Sequence, residues 1–139
     1  MPTSRQVAAV PVRRDDQGSL QVLLVTSRET RRWVIPKGWP WPELADHLAA
    51  AEEGREDSGV RGTPCAVSLV HYVYEKRRKS GLRPVRVEVF LLEVTSELDS
   101  WPEDRQRTRA WFTPEAAAEA VVEPELQEIL RGLPVKVAE

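Results

Sequence analysis

A proline-free, alanine-rich run from Leu44 to Ser58, closed by Gly59, constrains this chain more than any other stretch. It predicts a helix over 44–58 that stops where Gly59 can turn left-handed. At about 100° per residue, Glu52, Glu56, Glu53 and Asp57 fall in that order within an arc of about 140°. The pairs Glu52/Glu56 and Glu53/Asp57 are like charges four apart, each costing about 0.2–0.5 kcal/mol. All four sit near the negative end of the helix dipole, and Gly54 removes about 1 kcal/mol of helix propensity. A helix so loaded has to be compensated. Arg55 and Arg61 could neutralise a solvated acidic face, or a hard divalent ion could take the carboxylate oxygens and keep other positions for phosphate. From the spacing, both readings stand.

The rest of the chain supplies strands around this helix. Val7–Val12 and Leu20–Thr26 are β-rich runs separated by a polar segment with Gly18 as turn residue. Trp33–Ile35 is a short strand ended by Pro36 and Gly38. Ala66–Glu75 and Val85–Val94 predict a long hairpin whose loop spans Lys76–Pro84, with Val85, Val87, Val89 and Leu91 alternating to one face. A last strand is predicted over Arg107–Phe112, which puts Arg107 and Arg109 on one face, with Arg105 in the same row if the strand starts early. Pro114–Val121 forms a helix capped by Thr113, and Pro124–Arg131 forms another closed by Gly132. Strands before, around and after a central helix, with terminal helices for the other sheet face, predict a three-layer α/β domain with a mixed sheet. With 139 residues, no repeats and no linker, residues 1–139 read as one domain.

Charge and cysteine content narrow the function classes. The 20 basic and 22 acidic residues leave a net charge of −2, so nucleic-acid and membrane partners are not expected. A single cysteine, an N-terminus without a signal-peptide core and the lack of a 20-residue apolar run predict a cytoplasmic protein. Cys65, beside Pro64 and an apolar run, reads as a small buried hydrophobe. The distribution of charge is more telling than its sum. Six basic and no acidic residues fall between Lys76 and Arg86, and more lie at Arg28, Arg31, Arg32, Lys37 and Arg105–Arg109, against one acidic helix flank. Guanidinium forks and lysines bind phosphate oxygens, so this pattern suits a polyphosphate. Trp39 and Trp41 flank Pro40 before the helix, where packing is the expectation and stacking on a nucleobase the alternative. Trp33, Trp101 and Trp111 are expected in the core. His47 and His71 have no partner pattern for zinc or for a Ser-His-Asp triad, which leaves carboxylate chemistry.

The stretch Gly38–Val60 resembles the signature of the Nudix hydrolases: Gly, five residues, Glu, seven residues, then Arg-Glu-hydrophobic-any-Glu-Glu-any-Gly-hydrophobic. Gly38, Glu53, Glu56, Gly59 and Val60 match in register, and Asp57 stands for the final Glu. Leu44 replaces the first Glu, Glu52 the Arg and Gly54 the hydrophobic residue. Thr26-Ser27-Arg28, Arg32–Pro36, Trp101-Pro102-Glu103 and Arg109–Phe112 followed by Pro114-Glu115-Ala116 are similar to the diphosphoinositol polyphosphate phosphohydrolase branch.

The resemblance implies a Nudix α/β/α sandwich and an enzyme that hydrolyses a phosphoanhydride with Mg²⁺ or Mn²⁺. The expected substrates are dinucleoside polyphosphates or diphosphoinositol polyphosphates. It implies Gly38, Glu53, Glu56 and Asp57 as metal ligands and Glu53 and Glu56 as catalytic residues, with Glu75, Glu88 or Glu103 as alternative bases. Ser27, Arg28 and Arg86 align with phosphate-contacting positions, and Arg32 and Lys37 join them as substrate-binding residues. The signature Arg orients a neighbouring catalytic Glu in the family. Glu52 therefore reads as a lost clamp, and Glu52→Arg is expected to restore the ion pair. The competing reading is a weakened module that binds nucleotide or polyphosphate without efficient hydrolysis.

Overall fold

The computed structural model describes residues 4–136. Its centre is strand β1 (Ser4–Arg14), whose side chains alternate between two hydrophobic layers. Val7 and Ala9 point to one layer, Ala8, Val10 and Val12 to the other, and all five are buried. A strand apolar on both faces has to lie inside a sheet covered on both sides. β1 pairs antiparallel with β2 (Leu20–Thr26) and parallel with β6 (Gly81–Glu97), which makes the sheet mixed. Beyond these lie β3 (Trp33–Val34) at one edge and β5 (Val60–Arg78) at the other, giving the order β3-β2-β1-β6-β5. β4 (Lys37–Gly38) pairs with β1, and β7 (Arg109–Phe112) pairs with β2.

Helix α1 (Asp46–Ser58) covers one face through Ala49 and Ala50, packed with Val7, Ala9, Leu23, Val60, Phe90 and Leu92. Gly54 has a packing reason: a Cβ there would meet Leu92 Cδ2 at 3.2 Å and lie 3.9 Å from the Ala9 Cβ, so its absence lets α1 approach the sheet. The opposite face is covered by α2 (Pro114–Ala120) and α3 (Pro124–Arg131), followed by the short α4 (Leu133–Lys136). Ala117, Ala118, Val121, Leu126, Leu130 and Leu133 close that layer over Val85, Val87 and Val89. This is the expected three-layer sandwich.

Several boundaries differ from the sequence reading. α1 starts at Asp46 rather than Leu44, and Leu44 packs against the α1-side core. The loop expected over Lys76–Pro84 is largely strand. β5 and β6 stay paired to Arg78↔Gly81, because Gly81 at φ +107° permits a tight turn that lets the flanking basic residues pair across the ladder. Among the described residues, Glu75–Arg78 and Gly81–Pro84 pair only with each other, since β1 joins β6 from Val85 onward. The hairpin end therefore extends as a two-stranded arm. β7 begins at Arg109, so Arg105 and Arg107 lie in the preceding turn and do not form a strand row with Arg109. Cys65 is exposed, not buried, because β5 is the sheet edge. Trp33 and Trp111 pack against the core as expected, while Trp101 is half-buried against Arg109. No helix among the described residues is long and apolar enough to cross a membrane.

Candidate active site

The C-terminal half of α1 lies behind the short strand β4, so the backbone of Lys37 and Gly38 runs along the carboxylates. Lys37 N–H donates to Asp57 Oδ2 at 3.2 Å. A Cβ on Gly38 would overlap the Glu53 carboxyl group, so glycine is what admits that carboxylate. Glu53 and Asp57 are both buried, and Glu53 Oε2 accepts a hydrogen bond from Trp41 Nε1 at 3.3 Å. Burial pushes the Glu53 carboxyl up to about 7, with the Asp57 charge adding to it and the Trp41 bond opposing it. Burial likewise raises Asp57 to about 6, against the pull of Arg107.

The end of α1 is braced by the segment from Trp101 to Arg109. Trp101 Nε1 donates to Asp57 O at 3.1 Å, and Glu103 N–H donates to Glu56 O at 3.3 Å. Arg109 Nη1 donates to Ser58 O and Gly59 O at 3.0 and 3.2 Å, and its guanidinium stacks on Trp101 at 4.1 Å. Carbonyls that a helix C-terminus leaves unpaired are thereby satisfied, with positive charge at the negative end of the dipole. Gly59 sits at φ +69°, and a Cβ there would meet Arg109 and Trp101 at 2.7 Å. Arg107 pairs with Glu103, donates to Thr26 O at 3.1 Å and reaches Asp57 Oδ1 at 3.8 Å.

Glu53, Asp57 and Glu103 form the acidic end of one cleft of about 950 Å³. Its wall carries Ser27, Arg28, Arg32 and Lys37, continued by Lys76 and Arg77 of the hairpin arm. The loop bearing Ser27 is closed on itself: Ser27 N–H donates to Arg32 O at 2.8 Å, and Arg32 N–H donates to Ser27 Oγ at 3.1 Å. Burial lowers the Lys37 amine to about 8, and its Nζ lies 5.2 Å from the centre of the Tyr74 ring.

Two residues of the expected set stand elsewhere. Glu56 is outside the cleft lining and 3.7 Å from Arg55 Nη2, while Arg55 Nε donates to Glu52 Oε1 at 3.1 Å. Arg86 lies on β6 beside Glu88 at 3.7 Å, also outside the lining. Of the alternative bases, Glu103 and Glu75 line the cleft, whereas Glu88 accepts from Ser68 Oγ at 2.7 Å. Trp41 as partner of Glu53 and Arg107 as partner of Asp57 were not legible in the sequence, because neither shares a helical or strand period with the carboxylate it meets.

The buried carboxylates of Glu53 and Asp57, set against the backbone of Lys37 and Gly38, make an all-oxygen donor set that fits a hard divalent ion. No group of three or more His, Cys, Asp or Glu side chains among the described residues forms a metal cage by itself. Such an arrangement suits an ion that completes its shell with backbone, water or phosphate oxygens.

No protein-family model matches the chain. It is 35% identical over 128 residues to Nudix hydrolase 12, mitochondrial, of Arabidopsis thaliana, covering 84% of this chain and 62% of that protein. It is 36% identical over 100 residues to diphosphoinositol polyphosphate phosphohydrolase 3-alpha of Mus musculus, covering 70% and 57%. The chain thus spans about 60% of the length of the curated relatives it matches. In structure it is similar to a C. elegans Ap4A hydrolase binary complex, with a TM-score of 0.71 and 20% identity over 98% of each chain. With Gly38, Glu53, Glu56, Gly59 and Val60 in register with the signature and 35–36% identity to these relatives over most of its length, the chain belongs to the Nudix hydrolases.

Proposed function

We propose that the chain, as one domain over 1–139, hydrolyses a phosphoanhydride bond in a polyphosphorylated small molecule. The expected substrates are dinucleoside polyphosphates or diphosphoinositol polyphosphates. The observation that carries this reading is the union of a buried acidic end and a basic wall in a single cleft. A cleft of one sign would bind either the ion or the phosphates; both together suit a phosphate chain neutralised from two sides.

Glu53, Glu56 and Asp57, with the Gly38 carbonyl, would hold a divalent cation, Mg²⁺ or Mn²⁺, after Glu56 leaves Arg55. The chemistry such an ion supplies is polarisation of phosphoryl oxygen and acidification of water. Glu53, its orientation fixed by the hydrogen bond from Trp41, would accept a proton from the attacking water. Arg28, Arg32 and Lys37 bind the phosphate chain and oppose the charge that builds on the leaving phosphate. Ser27 holds their loop in shape.

The test is a panel of dinucleoside polyphosphates, diphosphoinositol polyphosphates, ADP-ribose and nucleoside triphosphates, assayed with Mg²⁺, with Mn²⁺ and in excess chelator. Metal-dependent release from the first two groups, faster than from ADP-ribose, is the expected result. Turnover that survives the chelator, or a preference for ADP-ribose, would reject the respective half of the reading.

A further inference from the structure

Resting on that reading, we infer that Trp39 is a nucleobase-stacking platform and that Arg78 holds its ring when no base is present, which makes nucleotides the substrate class of this cleft. Trp39 is 43% exposed, whereas the other four tryptophans are engaged. Trp41 bonds Glu53 and packs on the α1-side core, Trp33 packs edge-on to Phe112, Trp111 lies in the core beneath Arg13, and Trp101 is stacked under Arg109. Packing does not account for Trp39.

Its position suits a base. Trp39 lines the same cleft as Glu53 and Asp57 and follows Gly38, the residue against the Glu53 carboxyl, so a base on its ring lies in the cleft that carries the acidic end. Lys37 and, on the hairpin arm, Lys76 and Arg77 line that cleft too and suit the phosphates. The guanidinium of Arg78, at the tip of that arm, lies 4.9 Å from the Trp39 ring centre. It is a flat cation on an open indole, occupying the kind of face a planar base takes.

Magnitudes favour the exchange. A guanidinium over an exposed indole contributes a factor of about 2–5 in stability. A stacked base contributes a factor of about 5–150 in affinity. Displaced from the ring, Arg78 is free to pair with phosphate as a charged hydrogen-bond donor. An inositol ring has no π face and gains nothing from Trp39; it is held through its phosphates alone.

The experiment compares wild type, Trp39→Ala and Trp39→Phe on a dinucleoside pentaphosphate and a diphosphoinositol polyphosphate. It adds tryptophan fluorescence titrated with a methylene-bridged dinucleoside polyphosphate that is not cleaved. Trp39→Ala should raise KM for the dinucleotide about tenfold or more while KM for the inositol substrate stays within twofold, and Trp39→Phe should recover most of the loss. Saturable quenching in wild type should lose its largest component in Trp39→Phe. Equal loss on both substrates would mean that Trp39 only packs, and no loss on either would mean that it touches no substrate; either overturns the inference. If wild type cleaves neither substrate, the proposed activity fails, and the fluorescence titration alone decides the stacking site.

Discussion

Replacing Gly38 by Ala should separate catalysis from folding. The added Cβ would overlap the carboxyl carbon and both oxygens of Glu53, which belong to the far end of a flexible side chain. Glu53 escapes by rotating away from β4, and in doing so it gives up the hydrogen bond from Trp41 Nε1. A hydrogen bond to a charged group contributes about 1.5–3 kcal/mol, partly offset by about 0.4–1 kcal/mol from the stiffer unfolded chain. The net loss is about 1–2 kcal/mol, or a Tm lower by roughly 3–10 °C for a chain of this size. Activity should suffer far more, because displacing a reacting group by about 1 Å costs on the order of 100-fold. Gly62→Ala is the control: its Cβ would strike the Glu93 carbonyl on the neighbouring strand, where no side chain can yield. That variant should lose stability severely, and Gly38→Ala should melt cooperatively and yet fail to release phosphate. A Gly38→Ala protein with turnover within threefold of wild type would refute the role given to Glu53 at this position.

Without metal, stability should fall as pH rises from about 4.5 to 7. Glu53 and Asp57 have folded pKa values raised to about 7 and 6, so the folded state binds more protons than the unfolded one across that window. At about 1.4 kcal/mol per pKa unit the two groups together account for a loss on the order of 4 kcal/mol. Saturating Mg²⁺ or Mn²⁺ should abolish the slope, and melting curves in chelator that are flat over this range would contradict the assignment. Glu52→Arg should raise turnover, as the lost-clamp reading expects, by about 1.4- to 2.3-fold, the worth of one helix ion pair. Glu52 accepts from Arg55, which also reaches Glu56, so an arginine at 52 repels Arg55 and frees Glu56 for the cation. The Mg²⁺ dependence of the rate measures this, and a reduced maximal rate with a raised half-saturating Mg²⁺ concentration would reject it. Arg109→Met should lower the melting temperature by several degrees, from about 1.5–3 kcal/mol of lost bonds to Ser58 O and Gly59 O. Because Arg109 braces the end of the carboxylate helix, kcat should fall with it while KM holds, and unchanged kcat would confine Arg109 to stability.

The helix that carries the carboxylates, its stop at Gly59 and the helix cap at Thr113 were fixed by local chemistry, and so they were legible residue by residue. The two-sided burial of β1 was carried by composition alone: a run apolar at every position has to be covered twice. What lay outside that reach depends on contacts between residues far apart in the chain. The sequence ranked Glu53, Glu56 and Asp57 together because they share a helical arc, yet only packing against β4 decides which are buried. Glu53 and Asp57 meet Gly38 and Lys37, while Glu56 stands one helical turn from Glu52 and within reach of Arg55. Cys65 read as core because its neighbours are apolar, but the sheet order makes β5 an edge, and an edge strand exposes what an inner strand would bury. Arg107 and Arg109 are two residues apart and would share a face in a strand. β7 begins between them, so one goes to Asp57 and Glu103 and the other to the helix end. Periodicity reports the face a residue occupies on its own element, and the partner across that face is chosen by the topology.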